Sequence, residues 1–343
     1  MTGSRGVLEI RMADSTSKVC VVIPNWNGKR WLPGCLNALA AQTFKDFAVV
    51  VVDNGSTDGS QELLRTGFPQ VHILPFAENR GFAAAGNAGI RQTESEYVVL
   101  LNNDTIPRPD WLANLVRAID SAPPNVGCLA SKMIDMTNPG VMENAGDTLS
   151  WQGAAEKRGR GAPTSEFVQP EEILSPCAGA ALYRRSFLAD TGGFDERFFA
   201  YLEDVDLGLR GRLLGYTCLF VPSAEVLHQG HGSGMPHGRY VRLITRNRLV
   251  LLLKNIPGRL LRRHLVSLVY GQFYFFVCYR RPLHSLAGCV SLIPLLPHAL
   301  RQRRHIGSRR TLSEEQIDAL LKPAMNEPTL RKAFSRWIHG SRI

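Results

Sequence analysis

At 343 residues, 44% hydrophobic and 20% charged, the chain can bury a sizeable core and exceeds one minimal domain. An aromatic content of 8% excludes a disordered polymer, and seven scattered cysteines without a Cys-x-x-Cys pair exclude a disulfide framework or cysteine zinc site. The formal charge of +10 is concentrated: no Asp or Glu lies between Glu225 and Glu314, while Arg239 to Arg310 holds fourteen Arg and one Lys. That surface calls for an anionic partner. Its apolar flanks at 265–279 and 283–300 fit membrane phospholipid, so no nucleic acid partner is expected.

The first seventeen residues read as a loose tail without an apolar run long enough for a secretory signal, so the chain is expected to begin in the cytosol. Residues 19–24 (VCVVIP) form a short apolar run stopped by proline, the pattern of a buried parallel strand. A helix is expected over 31–42 and a second buried strand over 47–52. Asp53-Asn54-Gly55-Ser56-Thr57-Asp58-Gly59 follows, a dense turn signal that offers an N-cap for a helix at 60–65. A strand at 71–74, a helix at 86–93 and a strand at 97–101 come next, the last ending at Asn102-Asn103-Asp104. Alternation of short strands and helices predicts an open α/β sheet, with ligands bound at the strand C-termini.

After Asp110 the pattern changes to a helix at 111–121 and a strand at 127–133. Residues 137–169 read as Gly-rich loops with short antiparallel strands. A compact segment at 177–185 and a helix from Ser186 lead to GGFDERFFAYLEDVDL at 192–207. Beyond His237 the chain is basic, apolar and helical, which places a boundary there. This gives a tail at 1–17, an α/β domain at 18–237 and a membrane-associating segment at 238–343, with 239–263 resembling an interfacial helix.

Asp53, Asp104 and the pair Glu203-Asp204 each follow a strand or open a helix. Carboxylates gathered at one sheet edge repel unless a cation compensates them, and Mg²⁺ takes one or two carboxylates plus phosphate oxygens. A nucleotide-diphosphate site is the natural reading. Gly81 to Asn87 has the G-x-x-x-x-G spacing but lacks the Lys-Ser/Thr of a P-loop, and no G-x-G-x-x-G follows the first strand. Kinase and dehydrogenase readings are therefore set aside.

The ordered set VVIPNWNG, VVVDNGSTDG, ENRGFAAAGNAGI, VVLLNNDT, GGFDERFFAYLEDVDLGLR and VLHQGHGS resembles glycosyltransferase family 2, and within it the rhamnosyltransferase-like branch of cell-envelope polysaccharide synthesis. The resemblance covers about two thirds of the chain. It implies a GT-A fold, a nucleotide-sugar donor, Mg²⁺ or Mn²⁺ and an inverting mechanism. By this resemblance Asp53 contacts the nucleotide base or ribose, with Pro24, Asn25 and Asn27 in the same pocket. Asn79, Gly81 and Asn87 belong to the loop and helix start below the nucleotide, and Asn103 and Gly179 join the nucleotide-sugar contacts. The family's Asp-x-Asp appears as Asn102-Asn103-Asp104, leaving Asp104 as the metal carboxylate with His228 as a second ligand. Asp204 matches the catalytic base and Glu203 is expected to position the acceptor; Asp195 and Asp206 orient their helix. The acceptor is expected to be a lipid-linked saccharide, met at the cytoplasmic face of the membrane. A UDP-hexose donor, or a non-catalytic binding module, is the alternative.

Overall fold

The computed structural model describes residues 17–230 and 234–326. Most of the expected tail, and His231, lie outside the described residues. Strand β1 (Val19–Asn25) leads through α1 (Leu32–Ala40) to β2 (Phe47–Asn54), α2 (Ser60–Gly67) and β3 (His72–Phe76). Helix α3 (Phe82–Arg91) then returns to β4 (Tyr97–Leu101). The pairings β1–β2, β2–β3 and β1–β4 are all parallel, as crossover helices require. Val21, Val50 and Val99 are wholly buried, because helices cover both faces. Helix α3 starts four residues earlier than the sequence suggests, since Gly81 at φ 90° admits the turn that begins it.

Strand β5 (Thr105–Pro107), α4 (Trp111–Ser121) and β6 (Val126–Asp135) complete the centre. Within 137–169 the expected short antiparallel strands are β7 (Met142–Asn144), β8 (Asp147–Leu149) and β9 (Ala155–Lys157), and β10 (Glu171–Ile173) follows. Strand β11 (Ala180–Arg184) runs antiparallel between β4 and β6. Helices α5 (Arg185–Thr191) and α6 (Glu203–Leu213) precede β12 (Thr217–His228), which lies parallel to β6. The sheet order is β10-β12-β6-β11-β4-β1-β2-β3, a mostly parallel sheet with antiparallel members at its centre and far edge. The strands therefore deliver Asn25, Asp53 and Asn102 from neighbouring C-termini.

Beyond residue 237 come α7 (His237–Asn255), α8 (Gly258–Arg263), α9 (Leu265–Cys278), α10 (Pro282–Val290), α11 (Leu296–Arg309) and α12 (Glu314–Leu320). Helix α7 corrects the interfacial reading of 239–263, because Val241, Leu243, Val250, Leu251 and Leu252 are buried. One hydrophobic cluster joins Val250, Leu251 and Ile306 to Phe198, Val205 and Leu209, so these helices share a core with the helix that carries Asp204. The buried lysine of α7 is paired. Lys254, 2% exposed, contacts Asp195 at 2.7 Å and Asp206 at 2.8 Å, while Arg210 lies 2.9 Å from Asp206. A buried charge without such partners would be very costly.

Candidate active site

The donor side is a hydrogen-bonded lattice at the ends of β1, β2 and β4. Asp53 is fully buried and its carboxylate accepts from Asn25 Nδ2 at 2.9 Å, Ser56 N at 3.1 Å and Gln61 Nε2 at 2.8 Å. Three of about four acceptor positions are thus filled, leaving one for a ligand. Asn25 Oδ1 accepts from Asn103 Nδ2 at 2.7 Å, which ties the third residue of this group to the first two. Asn27, at φ 52°, receives Thr57 N on its Oδ1 at 2.8 Å and gives its own N–H to Ser56. Pro24 is half-buried at the same strand end, and Trp26 beside it is half-buried rather than buried.

Asn79 sits across the cleft, where its Oδ1 accepts from Asn54 Nδ2 and Gly81 N. A Cβ on Gly81 would lie 2.3 Å from the Phe199 carbonyl, so only glycine lets the donor and acceptor loops touch. Asn87 does not join the lattice. Its amide is occupied by Phe194, donating to the carbonyl at 2.8 Å and accepting from the N–H at 2.9 Å. In the structure it ties α3 to the loop before α6.

Asp104 and His228, 5% and 6% exposed, approach to 3.3 Å across β5 and β12. Glu143 stands 3.3 Å from the other ring nitrogen of His228, and that nitrogen and Glu143 Oε2 are both buried without a hydrogen-bond partner. Burial opposes charge on His228, but Asp104 and Glu143 outweigh it and push the imidazole up to about 9. For Glu143, burial is likewise overcome by His228 and Lys157, which hold it at about 2. Once its proton is displaced, the His228 imidazole beside the Asp104 carboxylate fits a divalent cation of the Mg²⁺ or Mn²⁺ kind, with Glu143 behind the other ring nitrogen.

The acceptor side is built around Asp204 at the start of α6. Its Oδ2 accepts from Ala178 N at 3.1 Å and its Oδ1 from Val205 N at 2.9 Å. Gly179, next to Ala178, gives its carbonyl to Asn102 N at 2.9 Å, so one short loop connects Asn102 to Asp204. Asp147 and Cys177 bring ligand atoms within 4.8 Å of Asp204. Burial, then the neighbouring charge of Asp204, raises Asp147 to about 8. Burial also raises Asp204 itself. Glu203 is 6% exposed and its Oε2 has no hydrogen-bond partner. Burial followed by the Asp204 charge raises it well above the carboxylate range.

The loop that presents this pair is strained. Phe199, Tyr201 and Leu202 all have positive φ, at 66°, 73° and 68°. Phe199 forms a γ-turn in which Ala200 N donates to Phe198 O at 2.8 Å. Such residues cost on the order of 1–3 kcal/mol each and persist only where surroundings force them. The force comes from α7. Asn247 Nδ2, fully buried, lies 3.0, 2.9 and 2.8 Å from the carbonyls of Phe198, Ala200 and Tyr201. Arg246 adds contacts to Arg197 and Phe198.

Sequence reasoning missed Glu143, Asp147 and Asn247. The acids stand in Glu143-Asn144-Ala145-Gly146-Asp147, where a glycine at φ 100° between acids was the available signal. No local signal marks Asn247.

This mostly parallel sheet, flanked by helices and ending in a polar cleft, has the GT-A architecture. The Glycosyl transferase family 2 model matches residues 20–192, and the chain belongs to that family. It is 30% identical over 222 residues to the N-acetylglucosaminyl-diphospho-decaprenol L-rhamnosyltransferase of Mycobacterium tuberculosis, covering 58% of this chain and 72% of the relative. It is 32% identical over 150 residues to glycosyltransferase AglE of Haloferax volcanii, covering 39% and 49%. Among solved structures, GalNAc-T7 with UDP, GalNAc and Mn²⁺ matches at a TM-score of 0.60 and 16% identity. That match covers 84% of this chain and 54%, about half, of the other. TarS residues 1–349 of S. aureus with UDP-GlcNAc matches at 0.54 and 19%, covering 89% and 92%.

Proposed function

We propose that this family 2 enzyme inverts configuration as it moves L-rhamnose from dTDP-L-rhamnose to a lipid-linked saccharide at the cytoplasmic face of the membrane. In this reading residues 18–237 carry the chemistry, while 238–343 brace it and hold it at the bilayer. The observation that carries the chemistry is Asp204, a half-buried carboxylate fixed by two backbone N–H groups across a short loop from Asn102. The rhamnosyl donor and polyprenyl-diphosphate acceptor are supported by the activity for which the mycobacterial relative is named.

Asp204 takes the proton of the acceptor hydroxyl as its oxygen attacks the anomeric carbon. The bond from that carbon to the diphosphate oxygen breaks on the opposite face, and the nucleotide diphosphate leaves. A divalent metal held by Asp104 and His228 would supply charge neutralisation at that diphosphate. Asp53, Asn25, Asn27 and Asn103 hold the nucleoside end, and Glu203 positions the acceptor.

The test is nucleotide-diphosphate release with a panel of donors, UDP-hexoses included, and membrane lipid extract as acceptor. Asp204→Asn is expected to lower kcat by at least about 10²-fold with little change in donor binding. Near-normal kcat in that variant at saturating acceptor would overturn the base assignment. Absence of turnover with every donor would favour a binding module instead.

A further inference from the structure

Of the thirteen large apolar side chains left exposed among the described residues, eleven lie between Leu265 and Leu300. On α9, Leu265, Val266, Val269, Phe273 and Phe276 share one helical face, with Val266 84% exposed, while Gly271, Tyr274 and Phe275 are buried on the other. On α10 and the turn after it, Leu283, Leu286, Val290 and Ile293 do the same, against buried Ser285 and Gly288. Soluble monomers seldom leave so much contiguous apolar surface in water.

The helical run Pro282–Arg309 is long and apolar enough to cross a membrane by length and composition alone. Its second face, however, is fastened to the catalytic body along its length. A Cβ on Gly288 would meet the Arg242 carbonyl at 2.7 Å. His298 contacts Asp195 at 2.7 Å, and Arg303 Nε donates to Leu253 O at 2.6 Å. Turning this run upright would break every one of those contacts, so it can meet a bilayer only sideways. Arg259, Arg262 and Arg281, all exposed, border the two helices, and no acid falls between Glu225 and Glu314 to oppose an anionic headgroup.

A chain of ring contacts leads from this surface to the site. Phe275 stacks on Tyr279 at 5.6 Å, Tyr279 meets Tyr240 at 6.2 Å, and Tyr240 meets Tyr201 at 4.9 Å in the loop before Asp204. We propose that the exposed faces of α9 and α10 insert together into one leaflet of an anionic phospholipid bilayer, setting the acceptor side of the site at headgroup level. This rests on the membrane placement proposed above and adds the surface and its mode: apolar insertion bordered by arginine.

Flotation of the full chain with phosphatidylglycerol–phosphatidylethanolamine vesicles tests it. The protein should float at low salt and remain largely bound at high salt, since insertion is not screened as surface charge is. Alkaline carbonate should release it. Val266→Ser with Val269→Ser and Phe273→Ser, and separately Leu283→Ser with Leu286→Ser, should each weaken vesicle binding by at least about tenfold. Nucleotide-diphosphate release with a water-soluble acceptor should be unchanged in both, which shows them folded and keeps this test apart from the chemistry. Vesicle binding equal to the parent chain in both variants overturns the surface. So do loss of all binding at high salt, carbonate resistance indicating a span, or a dimer held by these residues that does not float.

Discussion

Residues 19–107 place Asn25, Asp53 and Asn103 at or just beyond the ends of β1, β2 and β4, each held by neighbours from the same turn or an adjacent strand. Residues 142–204 place Asp147 and Asp204 on a three-residue strand and a helix whose entry loop holds three non-glycine residues at positive φ. The donor side is therefore a product of local preference. The acceptor side is imposed from a distance, by Asn247 and Lys254 on α7, some fifty residues downstream. A strained loop held by a remote brace can position a base more tightly than a relaxed loop, at the cost of depending on that brace.

The largest expected effect comes from removing the brace's charge. Lys254→Ala leaves Asp195 and Asp206 buried and short of a partner, and should cost about 3–5 kcal/mol of stability. Urea unfolding of the full chain measures it. A loss below about 1 kcal/mol would mean that the acceptor side does not depend on α7.

A smaller effect isolates the carboxyl pair. The folded value of Asp147, about 8 against an ordinary 3.8, means the native state binds a proton that the unfolded chain lacks between those values. Its contribution is present at low pH and is lost as pH rises through about 8. Asp147→Asn should flatten that part of the stability–pH curve. It should also lower the acid limb of the kcat/KM profile, because Asp204 no longer titrates beside a second carboxyl. An unshifted limb would separate Asp147 from the base.

The same contrast explains how much was legible in the sequence. The runs VCVVIP, FAVVVV and YVVLL announce buried parallel strands because both faces are covered, and their polar ends then mark the donor cleft. Strands β7 to β9 have three residues each, too few for alternation to register. Helix α7 mixes Arg with Leu, which reads as a membrane surface until the partners of Lys254 and Arg248 are seen. Arg248 reaches the Gly153 carbonyl at 3.0 Å, and its guanidinium lies 3.6 Å from the Phe275 ring. The Asn87 amide matches one backbone position 107 residues away. Contacts of that range leave no periodicity to read.

The most direct measurement is the pair of values, nucleotide-diphosphate Kd and kcat, for Asn247→Ala. The variant strips three buried carbonyls of their shared donor, freeing the loop that aims Asp204. Displacement of the base by about 1 Å should lower kcat on the order of 10²-fold. The Kd should stay within about twofold, because the lattice at Asp53 has no contact with α7 to lose. An unchanged kcat, or a Kd that weakens in step with it, would contradict an acceptor side positioned independently of the donor side.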